Sequence, residues 1–145
     1  MHLDDYLFLE TDTEYIIQFT IPKKEMGTYN NYLNYLRNWN DGGKRADRFK
    51  GECKGIILNK LCKNNTPKLD AMNISLTYEY DLENRLGDLD NISSWVNKLT
   101  QDALVEYKLI HNDGQAIISD FPRNILTYGK TGLIRVTGKI LKGVK

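Results

Sequence analysis

A chain of 145 residues is the size of one compact domain, long enough to bury a core without a disulfide or metal staple. Its 41% hydrophobic and 27% charged residues, with 3 Pro, exclude disordered, collagen-like and low-complexity classes. No run approaches the ~18 apolar residues of a membrane span, and Met1-His2-Leu3-Asp4-Asp5 lacks a secretory pattern, so the expectation is a cytoplasmic protein with no membrane partner.

In chain order, residues 15–22 are β-branched and aromatic and end at Pro22, which predicts a strand. A Tyr- and Asn-rich region comes next, with a short helix around 29–39. From 44 to 63, Phe49, Cys53, Ile56, Ile57 and Leu61 recur at i, i+4, i+7, i+8 and i+12, one apolar stripe of a helix that stops before Pro67. Over 71–81, Met72, Ile74, Leu76, Tyr78 and Tyr80 alternate with polar residues, the pattern of a strand with one buried face. A loop over 82–87 leads to a second amphipathic helix over 90–107, carrying Ile92, Trp95, Val96, Leu99 and Ala103 and capped by Asp90 or Asn91. Closing strands are predicted over 116–120 and 132–141. The order gives a single α+β domain, a mixed sheet flanked by two main helices.

The net charge of +1 taken alone argues against nucleic-acid binding, but it averages over a partition. Asp4, Asp5, Glu10, Asp12 and Glu14 open the chain without a Lys or Arg; Arg123, Lys130, Arg135, Lys139, Lys142 and Lys145 close it without an acid. The first long helix is also basic, through Lys44, Arg45, Arg48, Lys50, Lys54, Lys60 and Lys63. Such asymmetry builds a phosphate-attracting face or an ordinary solvated one. Cys53 and Cys62 are too few for a disulfide scaffold, and His2 and His111 give zinc or Cys-His chemistry little to build on. Tyr29, Tyr32, Tyr35 and Trp39 suit packing first, then a dimer surface or base stacking.

The chemistry-bearing residues are Asp88-Leu89-Asp90-Asn91 at the mouth of the second helix and Asn112-Asp113-Gly114-Gln115 after it. In an extended run Asp88 and Asp90 project to one side, and Asp113 would complete an oxygen-rich pocket of the sort Mg²⁺ prefers if folding brings the two clusters together. The same residues also suit a helix cap and an Asx turn.

Asp88-x-Asp90-Asn91, then Lys98-x-x-x-Asp102-Ala103-Leu104, then Asp113-Gly114-Gln115 running into apolar residues, resembles the RusA-type Holliday-junction resolvases, endodeoxyribonucleases often carried by phages. The match covers 71–118. It differs from the family pattern by one extra helical turn between Asn91 and Asp102, by Asn112 in place of an acid, and by a basic cluster reduced to Arg85. The resemblance implies a homodimer that binds four-way DNA junctions and cuts them with Mg²⁺, or Mn²⁺ in its place, for recombination and repair. It makes Asp88, Asp90 and Asp113 the catalytic metal ligands and Lys98 the helix lysine. Lys44, Arg45, Arg48, Lys50, Lys54, Arg85 and the basic tail would contact phosphates. The alternatives are a non-catalytic DNA-binding recombination accessory protein on the same fold, and a small phage structural or adaptor protein.

Overall fold

The computed structural model describes residues 5–37, 43–81, 89–114, 117–118, 122–127, 129 and 131–143, with the backbone only at Tyr29 and Asp90. The chain forms one α+β domain around a five-stranded mixed sheet, as expected. Strands β1 (Tyr6–Glu10), β2 (Glu14–Pro22), β3 (Ser75–Asp81), β4 (Arg123–Thr127) and β5 (Leu133–Leu141) lie in the order β1-β2-β5-β3-β4. All neighbours are antiparallel except β3 and β4, which run parallel. Helices α1 (Lys23–Met26, a single turn), α2 (Tyr29–Arg37), α3 (Lys44–Lys63) and α4 (Leu89–Tyr107) fill the connections.

The period of two in β3 decides the layering. Leu76, Tyr78 and Tyr80 are buried, and the register sets them beside Gly138, Val136 and Ile134 of β5 and, one strand further, Ile17, Phe19 and Ile21 of β2. That face packs on Cys53, Ile57 and Leu61 of α3 and Ile92, Trp95, Val96, Leu99 and Ala103 of α4, the stripes read from the sequence. The opposite face, with Gln18, Thr77, Glu79, Arg135 and Thr137, carries no helix among the described residues. No described helix is long and apolar enough to cross a membrane.

Two predicted elements need correction. The closing strand expected over 116–120 contributes only an isolated bridge between Ile118 and Ile74, residues 116, 119 and 120 lying outside the described set; the strand proper is β4, which begins after Pro122. The opening residues, unassigned by periodicity, form β1, a hairpin partner of β2 closed by Thr11, whose hydroxyl oxygen accepts from the Glu14 amide at 3.0 Å. The loop expected over 82–87 lies outside the described residues.

Ring stacking settles Tyr32 and Tyr35 as packing residues. Tyr32 stacks on Trp95 at 5.1 Å, Trp95 on Phe49 at 5.6 Å, and Phe49 meets Tyr35 edge-on at 5.2 Å. The indole of Trp95 donates to the Met26 carbonyl at 2.8 Å, so the one polar atom of this buried ring is satisfied. Nothing is assigned to the side chain of Tyr29, and Trp39 lies outside the described residues.

Candidate functional site

The connection from β3 through α4 to β4 places every acid of interest. A helix joining neighbouring parallel strands must carry the chain back to the start of the first strand, so the segments before and after the helix lie at opposite ends of the domain. Position 90 is in the first turn of α4. From there to Tyr107 the helix rises about 26 Å at ~1.5 Å per residue. Beyond it the chain is pinned to the start of β3: the Ala71 amide donates to the Leu109 carbonyl at 2.9 Å, the His111 amide to the Ala71 carbonyl at 2.8 Å, and the Ile74 amide to the Ile117 carbonyl at 2.8 Å. Asp113, exposed at the surface, is held between those anchors.

The expectation that one folded chain gathers Asp88, Asp90 and Asp113 into one cation-sized pocket is therefore corrected: α4 holds position 90 and Asp113 apart. Asp88 and Arg85 lie outside the described residues. Position 90 and Asp113 of one chain, at opposite ends of α4, are too far apart to share a metal ion. Lys98 is exposed, about 12 Å along the helix axis from position 90.

The end of the domain where α4 begins is elaborately tied. Thr28 and Asn31 form a reciprocal cap at the start of α2: the Asn31 amide donates to the Thr28 hydroxyl at 3.2 Å and the Thr28 amide to Asn31 Oδ1 at 2.9 Å. Asn91, the last residue of the Asp-x-Asp-Asn run, accepts from the Asn30 amide through Oδ1 at 3.1 Å. Its side chain thus satisfies a first-turn amide of α2 and docks that helix on α4, a role that local spacing does not reveal.

Lys44, Arg45 and Arg48 are exposed on the opening turns of α3, at this same end, with the Arg45 guanidinium 4.6 Å from the Tyr35 ring centroid. Lys50 and Lys54 differ from the expectation. They lean toward α4, where Lys50 meets Asp102 at 3.8 Å and Lys54 meets Glu106 at 3.5 Å in partly exposed ion pairs that partly offset their charge. Two cations of the predicted basic tail are likewise paired, Arg135 on β5 with Glu79 at 3.6 Å and Lys142 just after it with Glu10 at 2.8 Å, whereas Arg123 and Lys139 are exposed. Asp5, from the acidic opening, pairs with Lys60 and accepts from the Thr20 hydroxyl, which together hold its carboxyl below the usual range. Part of the charge partition is internal complementarity, in which Asp5 and Glu10 of the acidic opening pair with Lys60 of α3 and Lys142 after β5.

Asp81 closes β3 at the α4-start end and was not singled out by the sequence. It accepts from the Thr131 hydroxyl at 2.6 Å, the Thr127 hydroxyl at 2.7 Å and the Thr131 amide at 3.2 Å, with the Gly129 amide as a further donor. These bonds, the Thr131 hydroxyl first, hold its carboxyl down to about 2. A Cβ at Gly129 would sit 2.7 Å from Asp81 Oδ2, so the loop approaches the carboxylate as closely as it does only because position 129 is glycine. Beside it a shallow cavity of about 230 Å³ opens between Glu79, Thr131, Leu133 and Arg135 on the bare sheet face. The only sequence signal was an acid ending a strand and a Gly/Thr turn forty-odd residues on.

At the other end, His111 Nδ1 lies 3.1 Å from Asp70 Oδ1, both exposed, and Asn112 Oδ1 accepts from the Gly114 amide at 2.8 Å, an Asx turn that presents Asp113. No family model matches this chain, and no curated protein matches it.

Proposed function

We propose that the chain is a metal-dependent, structure-selective endodeoxyribonuclease of the RusA type, acting on four-way DNA junctions as a homodimer in the cytoplasm. The observation that carries the reading is the Asp88-x-Asp90-Asn91 sequence, of which positions 90 and 91 lie in the first turn of α4, at the end of the domain where the exposed Lys44, Arg45 and Arg48 open α3. That end of the domain combines oxygen ligands with phosphate-seeking cations.

Because α4 separates the two acidic clusters within one chain, the homodimer is part of the site. A two-fold axis that sets α4 antiparallel to its mate brings Asp88 and Asp90 of one subunit to the end carrying Asp113 of the partner subunit, twice over. Those three residues would hold Mg²⁺, or Mn²⁺, which supplies charge neutralisation and a more acidic water for phosphodiester hydrolysis. The chain's own groups do the rest. Lys98, exposed on α4, neutralises charge growing on the phosphoryl oxygens; Lys44, Arg45 and Arg48 bind backbone phosphates and carry no base information, so selectivity comes from junction shape read by a symmetric dimer.

The separation of the acids in one chain also favours a second reading, a non-catalytic DNA-binding recombination protein on this fold. Cleavage of a synthetic four-way junction in Mg²⁺ decides between them. Wild-type protein is expected to cut and Asp90→Asn to bind without cutting; full cleavage by Asp90→Asn would remove the metal role.

A further inference from the structure

We propose that β4 is the seam of the homodimer: two copies pair their β4 strands antiparallel about a two-fold axis perpendicular to the sheet, making one continuous sheet of ten strands. The inference rests on the nuclease reading for the need to join the acidic clusters, and on the sheet for where they can be joined. β4 is the outermost strand beside β3. Its Arg123, Asn124 and Ile125 are exposed, Ile125 at 43%, on a strand edge with no partner among the described residues. A bare edge with an apolar residue at its centre is a template for another strand.

The spacing of the layers makes the pairing productive. As the crossover between β3 and β4, α4 lies over that pair, and the Tyr78 hydroxyl of β3 donates to Asn97 Oδ1 at 2.8 Å. Strands are ~4.8 Å apart, so helices centred between β3 and β4 on each side of a β4 seam lie about 10 Å from one another. That is the ordinary distance of packed helices. The two-fold makes them antiparallel, and the start of each α4 comes beside the end of the other. One flank of α4 is occupied by α3 through Asp102 and Glu106. The flank turned away from α3 carries Asn97 and Gln101, already joined by a 3.0 Å hydrogen bond, and presents amides rather than charges to a mate.

The other edge fails both tests. β1 is flanked by exposed Asp5, Glu10 and Asp12, which would face their own copies. Pairing there would leave the two α4 helices roughly 40 Å apart by the same strand spacing. At β4 a register centred on Ile125 sets Ile125 against Ile125 of the partner subunit and Arg123 against the partner subunit's Thr127, with no like charges opposed.

Sedimentation of the full chain without DNA tests the seam. Wild-type protein is expected at twice the 16.8 kDa chain mass, and Ile125→Glu at the chain mass with unchanged circular dichroism. In a Cys62→Ser background, Ile125→Cys is expected to oxidise to a disulfide-linked dimer, since opposed residues of an antiparallel pair have Cα atoms ~4.5–5.5 Å apart, within disulfide reach. A wild-type monomer, a dimer indifferent to Ile125→Glu, or failure of position 125 to cross-link overturns the proposal. A β4-linked dimer that cuts no junction sinks the nuclease reading and leaves the seam. A junction-cutting dimer that does not use β4 does the reverse.

Discussion

Replacing Asp81 by Ala removes the acceptor that fastens the turn after β4 to the end of β3. Two hydroxyl and two amide donors lose their partner: Thr127, Thr131, Gly129 and again Thr131. Hydrogen bonds contribute ~0.5–1.5 kcal/mol each, and the amides near the surface can turn to water, so the expected loss is about 2–3 kcal/mol. For a domain of this length that is a fall of about 6–9 °C in Tm. The effect should depend on pH with a definite sign. The folded-state carboxyl titrates at about 2, below its ordinary 3.8, so its stabilisation is present above that ordinary value and is lost as pH falls through about 2. With solvent screening the pH-dependent part is about 1 kcal/mol. Urea melts of wild type and Asp81→Ala at several pH values between 2 and 7 measure both parts. A stability gap under about 0.5 kcal/mol at pH 7, against the hydrogen-bond sum, or a gap that does not narrow in acid, refutes the reasoning.

Gly27→Ala should destabilise by about 2–4 kcal/mol in the same melts, since φ +63° with ψ −156° suits glycine and a Cβ there would lie 2.6 Å from Phe49 Cζ; a neutral substitution would mean that Phe49 gives way freely. Iodoacetamide at pH 8 should label exposed Cys62 and spare Cys53 until denaturant is added, because Cys53 is buried, donates to the Met26 carbonyl at 3.2 Å, and is pushed up to about 11 by burial. Equal labelling rates in the native protein would contradict that burial.

What the sequence made legible was whatever repeats with a period. The alternation through Ile74, Leu76, Tyr78 and Tyr80 identified β3 and its buried face, and the stripes through Cys53, Ile57 and Leu61 and through Ile92, Trp95, Val96, Leu99 and Ala103 identified α3 and α4. Met72, read into the same alternation, is 42% exposed because the paired strand begins only at Ser75. The apolar run through Ile117 and Ile118 is more strand-like in sequence than Arg123–Thr127, whose five residues become β4 through pairing with β3, so pattern alone puts the strand too early. Charge was the least transparent quantity. Composition counts Arg135, Lys142, Lys50, Lys54 and Lys60 as available cations, whereas tertiary contacts commit them to Glu79, Glu10, Asp102, Glu106 and Asp5.

The placement of the acids turned on a long-range fact. Spacing showed two clusters flanking a helix and could not show whether their ends meet. That β3 and β4 are parallel neighbours fixes the answer, because the crossover sends the chain the length of the domain. The docking role of Asn91 and the anchoring role of Asp81 are illegible for a related reason: their partners, the Asn30 amide and the loop around Thr131, are remote in sequence.

Mixing two inactive variants tests the shared acidic site most directly. Asp90→Asn and Asp113→Asn, each homogeneous, lose both sites of a symmetric dimer. Refolded together, half of the dimers are mixed and each mixed dimer regains one site built from intact residues, about a quarter of all sites. The account predicts that the mixture cuts four-way junction DNA in Mg²⁺ at about a quarter of the wild-type rate while neither variant cuts by itself. A mixture as inactive as its components, with subunit exchange verified, would contradict it.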